Sequence, residues 1–332
     1  MARAMATPRV SVVMAVYNGE RYMREAVDSI LAQTFPDFEF IIVDDASTDS
    51  TPAILDSYND PRLVRLRNED NIGLTRSLIR GLTPARGEYI ARMDADDVSL
   101  PERLERQVAY LDAHPEVGLV AAPFVFMDEA GNEKTVSRPP TDRCQLRAVL
   151  VRGNQFCHGV AMFRRACLDT VGGYRDAFRY AQDYDLWLRI LERYEVACLD
   201  DVLYKYRVTF NSISVTKLAE QDAYHALARE CARRRQVGIP EDFKPVEKVS
   251  ETTGRPIQFI DRLRARKAMA EYNMIWGRTS LARYQVPAAR QELLRAIRTF
   301  PLHGRAWFYL AASLLGPSLL RRIRPLYIRF RH

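Results

Sequence analysis

Three carboxylates fall within four residues in the run Asp94-Ala95-Asp96-Asp97. Carboxylates this close repel one another and retain their protons unless a cation lies among them. A small set of hard oxygen ligands, with room left for phosphate oxygens, suits Mg2+ or Mn2+ bridging a diphosphate. In extended backbone Asp94 and Asp96 project to the same side and address one ion. The plainer alternative is an acidic turn capping the helix that starts after Pro101. The cluster's place at the end of a strand-like run favours the metal. Asp44-Asp45 ends another such run, where a carboxylate accepts hydrogen bonds from a ribose hydroxyl or a base N–H, or caps the next helix.

Downstream, Tyr180-Ala181-Gln182-Asp183-Tyr184-Asp185-Leu186-Trp187 opens a helix with acids in its first turn, where the helix dipole favours them. Capping accounts for Asp185. Asp183 is the candidate general base, a group that must reach an acceptor hydroxyl at hydrogen-bond distance. His158 is a lone histidine after apolar Phe156-Cys157, a setting more often structural than catalytic. Arg207 offers a guanidinium suited to a diphosphate leaving group.

The elements that must position these groups alternate along the chain. Val10 to Val16 is a valine-rich run of the type buried on both faces of a parallel sheet, and it ends at the turn Tyr17-Asn18-Gly19. Glu20 to Gln33 has apolar residues at helical spacing, and Phe38 to Val43 is a second buried strand, so the pair implies a parallel crossover unit. A helix start at Ser47 to Pro52, a strand Leu63 to Leu66, a helix from Leu74 to Gly81 and a strand Glu88 to Met93 continue the pattern of an open α/β sheet. Ligands in such sheets bind beyond the carboxyl ends of the strands, where Tyr17, Asp45 and Asp94 fall. A helix from Pro101 to His114, a strand Val117 to Val125 and a helix from Asp183 to Tyr194 come next. From about Leu218 the sequence turns Arg/Ala/Leu-rich and helical, which places a boundary within residues 215–255. The stretch Arg262 to Leu315 reads as several amphipathic helices.

The pieces Val12-Val13-Met14-Ala15-Val16-Tyr17-Asn18-Gly19, Ser29-Ile30-Leu31-Ala32-Gln33-Thr34, Ile42-Val43-Asp44-Asp45-Ala46-Ser47-Thr48-Asp49, Gly87-Glu88-Tyr89-Ile90, Asp94-Ala95-Asp96-Asp97 and Gln182-Asp183-Tyr184-Asp185, in this order, resemble the family-2 glycosyltransferases with the GT-A fold. The resemblance covers residues 8–215. It implies a Rossmann-like α/β domain with a mixed, mostly parallel sheet flanked by helices; beyond it the residues themselves read as a helical region at 216–316 and a basic amphipathic tail at 317–332. It further implies that Ala15, Tyr17 and Asp45, with Asp44, bind the nucleotide, and that Asp94 sits by the ribose and diphosphate. Asp96 would hold the metal and Asp183 would be the catalytic base, with His158, Gln182 and Arg207 on the substrate and acceptor side. The implied reaction inverts the sugar's anomeric centre, moving it from a nucleotide-diphosphate sugar, UDP-sugar favoured, to a hydroxyl of a glycan or lipid-linked acceptor in bacterial cell-surface polysaccharide assembly. Two positions depart from the family pattern. Gln182 stands where many members carry Glu, and Thr209 stands where many carry a His that meets the diphosphate, leaving Arg207 or Asn211 to substitute.

Composition is that of a folded soluble protein, with 332 residues, 47% hydrophobic and 27% charged. Five cysteines without a two-residue spacing exclude the common zinc and dithiol motifs and suit a reducing compartment. The first residues are not expected to form a secretion signal, and no run reaches the roughly 20 apolar residues of a membrane-spanning helix. The expected location is therefore cytoplasmic, peripheral on the inner face of the cytoplasmic membrane. The net charge of +7 owes much to Arg321, Arg322, Arg324, Arg329 and Arg331, interleaved with bulky apolar residues in a form suited to a membrane interface. No nucleic-acid partner is expected, because aspartates clustered in the body repel phosphates without a metal. A sugar nucleotidyltransferase is also disfavoured, since Tyr17-Asn18-Gly19-Glu20 is not a glycine-rich phosphate loop. Substrate specificity is expected to lie in the loops of residues 126–160.

Overall fold

The computed structural model describes residues 7–241, 243 and 257–314, with side chains of the last stretch from 263. The basic tail expected to meet a membrane lies outside the described residues. The chain divides into two compact units, Met1–Arg207 with Glu220–Glu247, and Val208–Ala219 with Lys248–His332.

In the first unit the alternation read from the sequence appears as β1 (Val10–Val16), α1 (Met23–Leu31), β2 (Phe38–Asp44), α2 (Thr51–Asp56), β3 (Leu63–Arg67), α3 (Leu74–Leu82) and β4 (Tyr89–Arg92). β1 and β2 are buried at every residue, as strands covered by helices on both faces must be. They pair in parallel, Val10 opposite Phe38 through Val16 opposite Asp44, and β1 pairs in parallel with β4 on its other side. Helix α3 lies close on these strands because Gly81 has no side chain. A Cβ there would stand 2.9 Å from Val13 Cγ1 and 3.1 Å from Val43 Cγ2.

The remaining elements are β5 (Val98–Ser99), α4 (Arg103–Ala113), β6 (Val117–Ala121), β7 (Phe124–Met127), β8 (Glu133–Ser137), α5 (Arg143–Leu150), β9 (Met162–Arg164), α6 (Arg165–Val171), α7 (Gln182–Leu191), β10 (Glu195–Cys198) and β11 (Tyr204–Arg207). A seven-stranded sheet runs β10-β6-β9-β4-β1-β2-β3, with β9 antiparallel between β4 and β6 and the other pairs parallel. The sheet is thus mixed and mostly parallel, the GT-A arrangement. A smaller sheet runs β5-β11-β7-β8.

Two expectations are corrected. The run Val117 to Val125 is not one strand. Pro123 has no N–H to give a ladder, so the chain turns at Ala122-Pro123 and feeds β6 into one sheet and β7 into the other. The long helix α9 (Leu218–Gln236) belongs mostly to the first unit, because Tyr224, Leu227, Ala228, Cys231 and Ala232 join that unit's apolar core.

The second unit contains the single turn α8 (Ile213–Thr216) and the helices α10 (Ile257–Ala282), α11 (Val286–Thr299) and α12 (Gly304–Leu314). It has its own core of Ala270, Met274, Leu281, Ala289, Leu293 and Ala296, closed by residues of α12.

Candidate active site

Because β1 lies between β4 and β2 and parallel to both, the carboxyl ends of the three strands stand side by side. Asp94, Tyr17 and Asp45 come directly after those ends. The loops are stitched together across the edge. Asn18 sits in the left-handed region at φ 52° and donates its N–H to Ser47 Oγ at 2.9 Å, while its side-chain oxygen accepts from Thr48 N at 2.8 Å. Gly19 N donates to Thr51 Oγ1 at 2.8 Å. Asp49 accepts from Thr51 N at 2.9 Å at the start of α2.

The acidic cluster forms a turn and not an extended segment. β4 ends at Arg92, Ala95 and Asp96 are turn residues, and Asp97 N approaches Asp94 O at 3.4 Å. The same-side projection of Asp94 and Asp96 expected from strand geometry does not apply. Instead, ligand oxygens of Asp94 and Asp97 lie with Cys157 Sγ within 4.8 Å of one another. Asp97 is buried. One of its oxygens accepts Arg207 N at 2.7 Å, and its Oδ2 has no hydrogen-bond partner. Burial, with the charges of Asp96 and Asp94, holds the Asp97 carboxyl well above the usual range. Burial and the charge of Asp94 push Asp96 up to about 7. An orphaned carboxylate oxygen on Asp97, among mutually repelling acids and close to an oxygen of Asp94, fits a divalent cation at this turn.

Arg92, fully buried at the end of β4, organises this side of the site. Its guanidinium bonds Asp94, donates to Val13 O at 2.9 Å and Met93 O at 2.6 Å, and through Nε donates to His158 Nε2 at 3.1 Å. Tyr174 Oη lies 2.7 Å from the same nitrogen. Burial and the positive charge of Arg92 lower the His158 pKa well below its ordinary value, so Nε2 is an acceptor for two donors and the ring is neutral. His158 is therefore a link between Arg92 and Tyr174, beside the acids.

Asp45 is buried and accepts three hydrogen bonds. Oδ1 takes Asn68 Nδ2 at 2.6 Å and Ile72 N at 2.9 Å, and Oδ2 takes Gly73 N at 2.8 Å. It fixes the loop leading into α3. Asp44 is also buried, accepting Ser47 N at 2.9 Å, with Arg67 Nε at 3.5 Å. Ala15 is buried in β1, and Tyr17 is half exposed.

Asp183 occupies the first turn of α7 behind Ala181, a residue in the left-handed region at φ 54°. Asn154 Nδ2 donates to Asp183 Oδ2 at 2.7 Å, and Asn154 Oδ1 accepts Phe156 N at 3.2 Å, which fixes the amide's orientation. Burial raises the Asp183 pKa, opposed by its bond from Tyr184 N, the neighbouring His225 and Asn154, and the charge of Asp94 raises it further. Asp183 and the acidic cluster therefore stand within electrostatic reach of each other. Gln182 is buried beside it. Asp185 is fully buried and pairs with Arg175 and with Arg189, whose Nη2 stands at 2.9 Å, a role in the core that exceeds capping.

Arg207 is placed differently from the diphosphate contact expected of it. It is buried, donates Nε to Asp96 O at 2.7 Å, bonds Glu25 and stacks 4.3 Å over the Tyr22 ring. Its donors brace the acidic turn from behind.

Sequence reasoning missed Arg92, Asn154, Tyr204 and the tight packing of Gly159. A Cβ on Gly159 would lie 1.9 Å from Tyr204 Oη, so no side chain fits between His158 and the acidic turn. Arg92 alone carried a legible signal, a charge inside the apolar run Tyr89-Ile90-Ala91 immediately before the acids.

A model of glycosyl transferase family 2 matches residues 11–172. EpsE of Bacillus subtilis, which carries a glycosyltransferase name, is 39% identical over 206 residues, 60% of this chain and 73% of that protein. The amylovoran biosynthesis glycosyltransferase AmsE of Erwinia amylovora is 35% identical over 202 residues, 59% of this chain and 75% of that one. Among solved structures, TarS 1–349 of S. aureus in complex with UDP-GlcNAc is similar at a TM-score of 0.55 and 18% identity, covering 88% of this chain and 89% of that one. The mannosyltransferase PcManGT from Pyrobaculum calidifontis, in complex with GDP-Man and Mn2+, is similar at a TM-score of 0.54 and 23% identity, covering 96% and 83%. At these identities the two structures establish the common fold.

Proposed function

Since the chain belongs to glycosyl transferase family 2, we propose that it is a nucleotide-sugar-dependent enzyme that inverts the anomeric centre of a sugar as it transfers it from a UDP-sugar to a hydroxyl of a glycan or lipid-linked acceptor. The observation that carries this reading is the Asp183 carboxylate, oriented by Asn154 at 2.7 Å at the start of α7 and made more basic by burial. In the reaction Asp183 accepts the acceptor's hydroxyl proton as the oxygen attacks C1 from the face opposite the diphosphate, and the C1–oxygen bond to the diphosphate breaks. Asp94 and Asp96 would hold a divalent ion, Mg2+ or Mn2+, which when bound would supply positive charge against the departing diphosphate. Arg207 keeps the acidic turn in register through Asp96 O and Asp97. The loop ordered by Asp45 receives the base and ribose, with Tyr17 over them.

The name of AmsE, an amylovoran biosynthesis glycosyltransferase, supports a place in polysaccharide synthesis, and the arginine-rich composition of residues 317–332 supports attachment to the cytoplasmic face of the membrane. The nucleotides in the two similar structures differ, UDP-GlcNAc in one and GDP-Man in the other, so the base requires a direct test. Calorimetric titration with UDP and with GDP, each with Mn2+ and with EDTA, is expected to give metal-dependent binding of UDP. Asp183→Asn is expected to bind UDP like the parent protein and to lose transfer by a factor of about 10^2 to 10^4. Equal loss of binding and transfer would assign Asp183 to the fold and not to the reaction.

A further inference from the structure

Charge is divided unevenly along the sequence. Residues 257–332 hold fifteen Lys and Arg against three Asp and Glu, which leaves 34 against 39 in residues 1–256 of the chain's 49 and 42. The positive charge is therefore a property of the C-terminal helical unit. Within that unit α12 carries one charged residue, Arg305, and is otherwise apolar around most of its circumference. One face, with Ala306, Tyr309 and Ala312, closes the core against α10 and α11. The other presents Trp307, Phe308 and Leu314 at helical spacing, 51%, 57% and 68% exposed, with Leu302 just before the helix at 84%. A helix apolar on both faces is ordinarily buried on both. An aromatic and aliphatic stripe on a unit of strong positive charge matches the water–lipid boundary of an anionic membrane.

We propose that α12 is a membrane-seating element, lying in the interface of an anionic bilayer with Trp307, Phe308 and Leu314 among the acyl chains and the unit's arginines at the phosphates. This goes beyond attachment by the basic tail, because it assigns the contact to a folded helix and to named side chains.

The chain's own tryptophans report the event, since Trp187 and Trp276 are buried and Trp307 is exposed. The full-length protein is mixed with vesicles of phosphatidylcholine alone or with added phosphatidylglycerol. Flotation with the anionic vesicles, together with a blue shift and reduced acrylamide quenching of tryptophan emission, is expected. W307S/F308S, which leaves every charge in place, is expected to partition about tenfold more weakly at unchanged UDP binding and melting. The wild-type emission reads the contact without recourse to the variant. Flotation without a blue shift, or equal flotation of the double variant, would overturn the proposal in favour of attachment elsewhere. A vesicle-free dimer that W307S/F308S dissolves would overturn it in favour of a second copy of the chain on this face.

Discussion

Replacing Gly159 by alanine tests the packing that holds the acidic turn against its neighbours. The added methyl would stand 1.9 Å from Tyr204 Oη, 2.6 Å from its Cζ and 3.0 Å from Asp94 Oδ2. Tyr204 is fully buried and cannot swing into solvent. Its ring lies 5.2 Å from the guanidinium carbon of Arg103, itself fixed by Arg92 O at 2.7 Å, and its hydroxyl accepts the N–H of Asp94 at 3.2 Å. The methyl must therefore displace either the ring or the backbone of Asp94. Overpacking of this kind costs about 1–3 kcal/mol, and in a domain of this size each kcal/mol lowers Tm by about 2–4 °C. Tyr204→Phe alone loses one hydrogen bond, about 1 kcal/mol, but removes the atom at 1.9 Å. The double variant is expected to be more stable than the sum of the singles implies, with a coupling of at least about 0.5 kcal/mol. Relief is partial because Cζ remains. Thermal unfolding of the four proteins, with UDP titration of each, measures both effects, and Gly159→Ala should weaken metal-dependent UDP binding as Asp94 shifts. A Gly159→Ala protein that melts and binds like the parent, or strictly additive single variants, would refute this account of the packing.

Three further outcomes are expected of the site. Because burial raises the Asp183 pKa, its proton leaves only at a pH above the ordinary carboxylate value of about 4; kcat/KM should therefore fall as pH drops through that higher value, and an acid limb at the ordinary value would remove Asp183 from the role of base. Asp96→Ala should abolish the difference between Mn2+ and EDTA in UDP titrations, whereas an unchanged metal dependence would replace Asp96 as Asp94's fellow ligand by Asp97 and Cys157. Asp185→Asn removes the charge that faces buried Arg189 and half-buried Arg175 and is expected to cost about 3 kcal/mol in urea unfolding; a loss below about 1 kcal/mol would show that capping alone describes Asp185.

The strands, their order of appearance and the acids at their ends were legible because each is a local property. A run such as Val10 to Val16 is apolar at nearly every position only if both faces are covered, and a parallel sheet then gathers the loops after its strands on one edge. The same local logic failed at Ala122-Pro123, where one apolar run serves two sheets, and at Ala95-Asp96, where a turn replaces extended backbone. Tertiary structure decided the partners. Arg92 meets His158 and Asn154 meets Asp183 only because β9 and α7 fold back beside β4 and the loop after α5. Arg207, read from its type as a phosphate ligand, is buried by the meeting of β11 with the acidic turn and becomes its brace. Residue type and spacing told which chemistry the chain could perform, while the packing of segments far apart in sequence set which groups are buried, neutral, oriented or held, because burial and pairing are properties of neighbours in space.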